Sequence, residues 1–446
     1  MRTKVVRTTA RALQLSFVVL LVVISAKVEA QQERRITLNE AITEAQKNSK
    51  DLRLALIDES IAGEQLKQTN SFFLPQISAS YSGMATDNPL NAFGLKLQQQ
   101  RIASSDFAPS LLNHPSNTYG VAALLEVKQP LLNVDLLYRR KAADRQSKLY
   151  RYKAQRASEY VTFEVQKAYM QLHFAYQAEK VVRQALSTAQ SIYSLTKDRY
   201  DQGLLQKSDL LNAQVQVVAL EAKASEASSA IQTSSNYLAL VVGLEKNTLI
   251  KTVGYGLGLN AGQRWELPDD RADFLALSSA IDASRFAYKG SQAGLLPRIN
   301  AFASYQYSGS TFDRFGSGAY FAGVTLSWNI FSGLQVRHQI KEKRLVAGKL
   351  EIQLEQQKDQ AAFELNKTIR GVVDARLRIE QYKTAVDHSE ESLRITNNRY
   401  ERGLVSTTDV LQSQSQLAAQ QLSFEQAILE NNVLQAYLQF LTVSER

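Results

Sequence analysis

One motif occurs twice in this chain, and that repeat limits the fold more than any other feature. Arg199-Tyr200-Asp201-Gln202-Gly203-Leu204 returns as Arg399-Tyr400-Glu401-Arg402-Gly403-Leu404, 200 residues later. Asp209-Leu210-Leu211 and Asp409-Val410-Leu411 keep the same offset, as do Tyr237-Leu238 and Tyr437-Leu438. Upstream, Leu74-Pro75-Gln76-Ile77 pairs with Leu296-Pro297-Arg298-Ile299, and each copy runs on to a Ser-Tyr, Ser80-Tyr81 and Ser304-Tyr305. The chain is therefore two related halves, expected at 31–242 and 271–446, and the order of elements in one must recur in the other.

Each half opens with helical periodicity. Leu38, Ala41, Ile42 and Ala45 recur at helical spacing, and a second stretch runs from about Leu52 to Phe73, stopped by Pro75. Its counterpart runs from about Phe274 to Gly294 and is stopped by Pro297. The period then changes from 3.6 to 2. Ile299, Ala301, Ala303, Tyr305 and Tyr307 fall on one side, with Arg298, Asn300, Ser304 and Gln306 on the other. Tyr320, Ala322, Val324, Leu326, Trp328 and Ile330 alternate with Gly323, Thr325, Ser327 and Asn329. Tyr119, Val121, Ala123, Leu125 and Val127 alternate with Gly120, Glu126 and Lys128, while the stretch from Gln76 to Met84 carries the weakest pattern.

These read as two hairpins, about 76–130 and 298–331, of strands with one apolar and one polar face. A membrane-crossing barrel strand needs about 9–11 residues of this pattern. An antiparallel hairpin resting on a soluble core would show it too. Strand number separates the two in lipid. A single-chain barrel closes with at least about eight strands, and an open sheet there leaves bare backbone groups costing several kcal/mol each. Strands in a membrane would thus have to be pooled from several chains, two copies giving eight and three giving twelve. The aromatics Tyr81, Tyr119, Tyr305, Tyr320, Trp328 and Phe331 are the candidates for interfacial girdles.

After each hairpin comes a very long helical pattern. Val134 to Tyr200 contains neither proline nor glycine over 67 residues, which at about 1.5 Å per residue is roughly 100 Å of helix. Its partner, from about Gly333 to Tyr400, is interrupted only by Gly348 and Gly371. Each turns at Gly203 or Gly403 and returns over about Asp209–Val242 or Asp409–Val443. Helices of this length imply coiled-coil packing rather than a globular core. The segment 243–270, with Gly254, Gly256, Gly258 and Gly262, is expected to be an irregular linker outside that wall. The longest loop, about Thr86 to Asn117 with Pro89, Pro109 and Pro115, is expected on the exterior side.

Arg2, Lys4, Arg7 and Arg11 precede an apolar run from Leu15 to Ala26 and the small-residue spacing Val28-Glu29-Ala30. This is the pattern of a secretory signal peptide, too short to span a bilayer, with cleavage expected after Ala30. Its removal lowers the net charge from +9 to about +5, diluted over a chain with no basic stripe, so nucleic acid is not expected as a partner. The chain has no cysteine, which excludes disulfides, thiolate metal sites and lipid attachment through an N-terminal cysteine. His114, His173, His338 and His388 show no ligand spacing, and Gly254-Tyr255-Gly256-Leu257-Gly258 lacks the strand, helix and lysine of a phosphate loop. No cofactor and no catalytic constellation are expected.

Taken together, the Leu-Pro-x-Ile entry to each hairpin, the doubled Arg-Tyr-x-x-Gly-Leu-x-x-x-x-Asp turn and the final Tyr437-Leu438 helix resemble the TolC-like outer-membrane efflux proteins. The resemblance covers nearly the whole chain after residue 30. It implies a mainly α protein with a membrane β-barrel: four strands per chain, a homotrimer closing twelve strands, and a coiled-coil tunnel reaching across the periplasm. It also implies an outer-membrane setting, a periplasmic adaptor protein, and an inner-membrane transporter of RND, ABC or MFS type. The function it implies is a passive duct for efflux or type I secretion, not an enzyme.

The turn residues have two readings. Gly203 and Gly403 suit left-handed helix caps, and Asp209 and Asp409 suit first-turn carboxylates, Ser406 and Asp409 having capping-box spacing. By resemblance, Ser208, Asp209 and Tyr400 match positions that hold the periplasmic aperture shut, and Asp409 matches an acidic ring. Val405 and Gln412 depart from that pattern, standing where the best-known member has an arginine and a second ring aspartate, so the lock would be weaker or use another cation, Lys207 or Arg402. Gly203-Leu204 and Gly403-Leu404 match the turns where adaptors dock. Two other classes fit parts of the sequence: a trimeric coiled-coil surface fibre, which leaves the hairpins unexplained, and an exported helical enzyme, for which no reactive grouping speaks.

Overall fold

The computed structural model describes residues 33–245, 248–254, 265–312 and 314–444. The expected signal peptide, 1–30, lies outside the described residues, as do Gly256, Gly258 and Gly262 of the linker. Six strands and nine helices are used below: β1 (Glu33–Ile36), α1 (Leu38–Asn48), α2 (Lys50–Gln68), β2 (Gln76–Thr86), α3 (Pro89–Gln98), α4 (Pro109–Asn113), β3 (Thr118–Leu132), α5 (Val134–Asp201), α6 (Lys207–Val242), β4 (Leu249–Thr252), α7 (Ala272–Ala293), β5 (Arg298–Thr311), β6 (Arg314–Ser327), α8 (Gln335–Glu401) and α9 (Thr407–Thr442). They fall into two compact units, with the long helices α5 and α8 contributing to both.

One unit contains the sheet. Its four strands lie in the order β2-β3-β5-β6, each pair antiparallel, so the β3–β5 contact joins the two hairpins of the duplicated halves. The register collects the alternating residues into two unlike faces. Leu125 faces Ala79 on one side and Tyr305 on the other, and Tyr305 faces Tyr320. In the same way Val127 faces Ile77 and Ala303, and Ile299 faces Leu326. Residues directly opposite in a ladder share a face, so one face carries Ile, Val, Leu, Ala and Tyr from all four strands. The other carries Ser78, Ser80, Ser304, Gln306, Thr325 and Ser327, with Glu126, Lys128, Leu124, Phe302 and Phe321 among them. The apolar face is bare, with Ile77 68% and Tyr320 82% exposed.

The strands are longer than the alternation implies. β3 runs for 15 residues and β5 and β6 for 14 each. The register of β3 shifts between Pro130 and Leu132, where proline has no N–H to give the ladder. At its other limit β6 stops at Ser327, earlier than the alternation through Trp328 and Ile330 implies. There the Trp328 indole N–H donates to the Leu295 carbonyl at 3.0 Å, drawing the chain out of the sheet.

The other unit is built on α1, α6, α9 and the distal parts of α5 and α8. Its core is Val161, Val165, Ala168, Tyr169 and Leu172 of α5, packed with Ala41 and Ala45 of α1 and Ile231, Leu238 and Val242 of α6. The small residues at many of these positions let the helices approach closely. α8 runs unbroken through Gly348 and Gly371, the helix energetics of its neighbours outweighing a cost of about 1 kcal/mol per glycine.

The segment expected to be an irregular linker holds β4, which pairs in parallel with β1, Glu33 opposite Leu249 through Ile36 opposite Thr252. Ile36 and Ile250 bury their side chains in the core just described. Tyr169, fully buried on α5, seals the pair: its hydroxyl donates to the carbonyls of Ile36 (3.0 Å) or Val253 (2.6 Å) and accepts the Val253 N–H at 2.9 Å. We expect Tyr169→Phe to cost about 1–3 kcal/mol, the range for orphaning buried backbone partners, read as a lower melting temperature in detergent with unchanged helix content by circular dichroism.

Candidate functional site

Both duplicated turns close in the same way. At the end of α5 the Leu204 N–H donates to the Arg199 carbonyl (2.9 Å) and the Gly203 N–H to that of Tyr200 (2.8 Å). At the end of α8 Leu404 and Gly403 make the same pair to Arg399 (2.9 Å) and Tyr400 (2.9 Å). These are the two hydrogen bonds of a Schellman cap, which needs a left-handed residue at its centre. Gly203 (φ 76°) and Gly403 (φ 73°) supply it. The leucine that follows usually packs back on its helix, yet Leu204 and Leu404 are 68% and 62% exposed.

The helices that leave the turns start differently. Asp409 accepts from the Ser406 N–H (2.9 Å) and hydroxyl (2.8 Å), while its own N–H donates to the Ser406 hydroxyl oxygen at 3.2 Å. The serine hydroxyl, then its backbone N–H, hold the Asp409 carboxyl below the ordinary aspartate range, with Arg399 adding a smaller pull. In the other copy Gln206 takes the place of Ser406, and Asp209 accepts only its backbone N–H, at 3.3 Å. Ser208 and Gln412 are exposed.

A polar node ties the two hairpins together. Tyr400, 2% exposed, packs with Ile192, Ala213, Val410 and Leu411, and Val405 lies against this cluster. Its hydroxyl is bonded to Thr196 (2.8 Å) and Thr407 (3.0 Å), themselves fully buried. Arg199 reaches across from α5, donating to the carbonyls of Tyr400 (2.9 Å) and Glu401 (2.9 Å) with its guanidinium 4.7 Å from the Tyr400 ring centre. Those carbonyls are at the negative end of α8, where a cation is favoured. The structure thus gives Tyr400 to Thr196, Thr407 and Arg199, and no hydrogen bond joins it to Ser208 or Asp209 within one chain.

The family model for outer membrane efflux proteins matches residues 41–244 and 266–444, both duplicated halves and little of the segment between them. The chain belongs to the outer membrane efflux protein family. Its fold is shared with solved structures at low identity: the Campylobacter jejuni CmeC outer membrane channel (17% identity, 91% of this chain and 85% of that one, TM-score 0.77), the Vibrio cholerae outer membrane protein VceC (20%, 91% and 96%, TM-score 0.75) and the open state of the Neisseria gonorrhoeae MtrE outer membrane channel (16%, 91% and 88%, TM-score 0.73). No curated protein matches the chain by sequence.

As an efflux family member this chain places its expected girdle residues unevenly. Tyr81, Tyr119, Tyr305 and Tyr320 all lie on the apolar face, but Tyr81, Tyr305 and Tyr320 sit mid-strand because the strands extend past the visible alternation. Trp328 and Phe331 lie beyond the end of β6 on the side of α8. Lys207 and Arg402, the cations considered for the position vacated at Val405, are exposed and form no ion pair among the described residues. The cation seen bridging the two hairpins is Arg199, which the sequence alone did not single out. Its signal was the doubled Arg-Tyr step, and what was missing was which copy's arginine crosses. His173 is half-buried, bonded to Thr252 at 3.1 Å, and burial lowers its pKa. Among the described residues no group of His, Asp and Glu could hold a metal, and no helix is long and apolar enough to cross a membrane.

A carboxylate with a depressed pKa stabilises the fold above its ordinary pKa, and that contribution is lost as pH falls through the depressed value. Ser406→Ala removes the first cause of the depression at Asp409. Its carboxyl should then protonate at higher pH, so the variant should melt below the parent at neutral pH and the gap should close as pH falls through the depressed value, measured by melting temperature against pH in detergent.

Proposed function

We propose that three copies of this chain close a twelve-stranded barrel in the outer membrane, continued by a helical tunnel through the periplasm, as the passive exit duct of a tripartite efflux or type I secretion system. The observation carrying this reading is the sheet. It has two strands, β2 and β6, each with one side free among the described residues, and an apolar face left bare on all four strands. In lipid each bare edge group costs several kcal/mol. Pairing β6 of one copy with β2 of the next satisfies both edges, and an apolar outer face then meets hydrocarbon while the hydroxyl-rich face lines the bore.

In this reading the two Schellman turns stand at the periplasmic tip. Rings of Asp209 and Asp409 would line a narrow aperture and favour cations, while Tyr400, held by Thr196, Thr407 and Arg199, keeps the α8–α9 hairpin against α5–α6. The exposed Gly203-Leu204 and Gly403-Leu404 turns are the docking points for a periplasmic adaptor, which links the duct to an energised inner-membrane transporter. Cargo selection belongs upstream, with the inner-membrane transporter.

Membrane fractionation tests the assembly: an outer-membrane protein that migrates as a heat-modifiable trimer is expected, and a detergent-free soluble monomer would end the proposal. Asp409→Ala should reduce cation preference in single-pore recordings, and unchanged selectivity would leave the residue only its capping role. Leu204→Trp with Leu404→Trp should abolish transport in cells while trimers still form; surviving transport would remove the docking assignment.

A further inference from the structure

The helix that lies against the sheet is on the face where a soluble protein would not put it. Layered domains bury a sheet's apolar face beneath their helices. Here α3, from the proline-rich loop expected outside, is seated on the polar face at the end of the strands remote from α5. Gly120, opposite Met84 and in register with the polar row, lies beneath it: a Cβ there would come 2.8 Å from Leu95 Cδ2. The Gln99 side-chain amide donates to the Tyr119 carbonyl at 3.0 Å, and the Ser317 hydroxyl donates to the Gln98 carbonyl. Ala92 and Gln99 are buried on the helix side of this contact, and Ala122 and Ser308 on the sheet side. Lys96 pairs with Asp106 at 2.9 Å, which folds the segment after the helix back onto it.

The opposite edge of α3 is uncovered among the described residues. Leu90 and Leu97, two turns apart on one side of the helix, are 80% and 59% exposed. In a closed barrel the polar face is the inner face, so a helix anchored there occupies the bore. Resting on the assembly proposed above, we propose that α3 is folded into the exterior mouth of the barrel and sets the exit aperture, three copies meeting near the axis along their Leu90–Leu97 edges. A helix with its side chains is about 10–12 Å across, so three of them take up a substantial part of the opening.

The absence of cysteine makes single-thiol labelling clean. Leu97→Cys and Tyr320→Cys trimers would be inserted in planar bilayers, and a charged, membrane-impermeant methanethiosulfonate reagent added from the exterior side. Labelling at Leu97→Cys should at least halve the conductance, and Tyr320→Cys, on the lipid-facing row, should leave it unchanged. Replacing residues 88–117 with a short Gly-Ser turn should raise the conductance. If neither the label nor the loop replacement changes the current, the aperture assignment is overturned and the barrel reading stands. A block at Tyr320→Cys without one at Leu97→Cys would mean the apolar face lines the pore, and both readings fall. A parent protein that forms no pore would remove both as well.

Discussion

Unsatisfied backbone at the rim of the sheet governs the rest of this structure. β2 and β6 each have one side without a strand partner among the described residues, and the sheet between them is apolar on a face that no helix covers. In water such a sheet would recruit a helix to that face and blunt its edges with charge or proline. This one does neither. The chemistry that tolerates a bare apolar face is hydrocarbon, and in the assembly proposed above closure on neighbouring copies removes the free edges. The duplication supplies two hairpins with matched faces, and the β3–β5 ladder brings them into one register, so the faces remain continuous across the seam between the halves.

The helical part follows a different logic. Repetition gave each half a long outgoing helix, a glycine cap and a shorter return, but the copies have since diverged at the cap. Ser406 completes a reciprocal cap with Asp409, whereas Gln206 lends Asp209 only its backbone. Thr407 is buried against Tyr400, whereas Lys207, its counterpart, is exposed. Arg199 and Arg399 share a motif, yet among the described residues Arg199 alone of the two is seen crossing to the other hairpin's carbonyls. Two similar sequences thus make two mechanically different struts.

Much of this was legible because it rests on period and punctuation. Sixty-seven residues without proline or glycine leave few options besides helix, and alternation through Ile299–Tyr307 states a strand with two unlike faces. The misses have a common cause in non-local pairing. β1 and β4 are four residues each, too short to show a period, and they exist because Glu33 finds Leu249 and Tyr169 bonds both strands' ends. α3 begins at Pro89, which in sequence marks a loop and in structure occupies the first helical turn, where its missing N–H costs nothing. At the turns, the motif announced its glycines and carboxylates. It did not announce that Tyr400 would bury its hydroxyl between two threonines, since that depends on how one hairpin lies on the other.

The caps at Gly203 and Gly403 separate what holds a hairpin from what it displays. Each turn is fixed by two main-chain hydrogen bonds and a residue without a side chain, and the leucine that follows adds little packing of its own. Substitution at that leucine is therefore nearly free of folding cost, so in the docking role proposed above the displayed surface can drift, lineage by lineage, while the strut beneath it stays the same. Under that proposal, partner preference evolves on a scaffold that does not have to be reinvented.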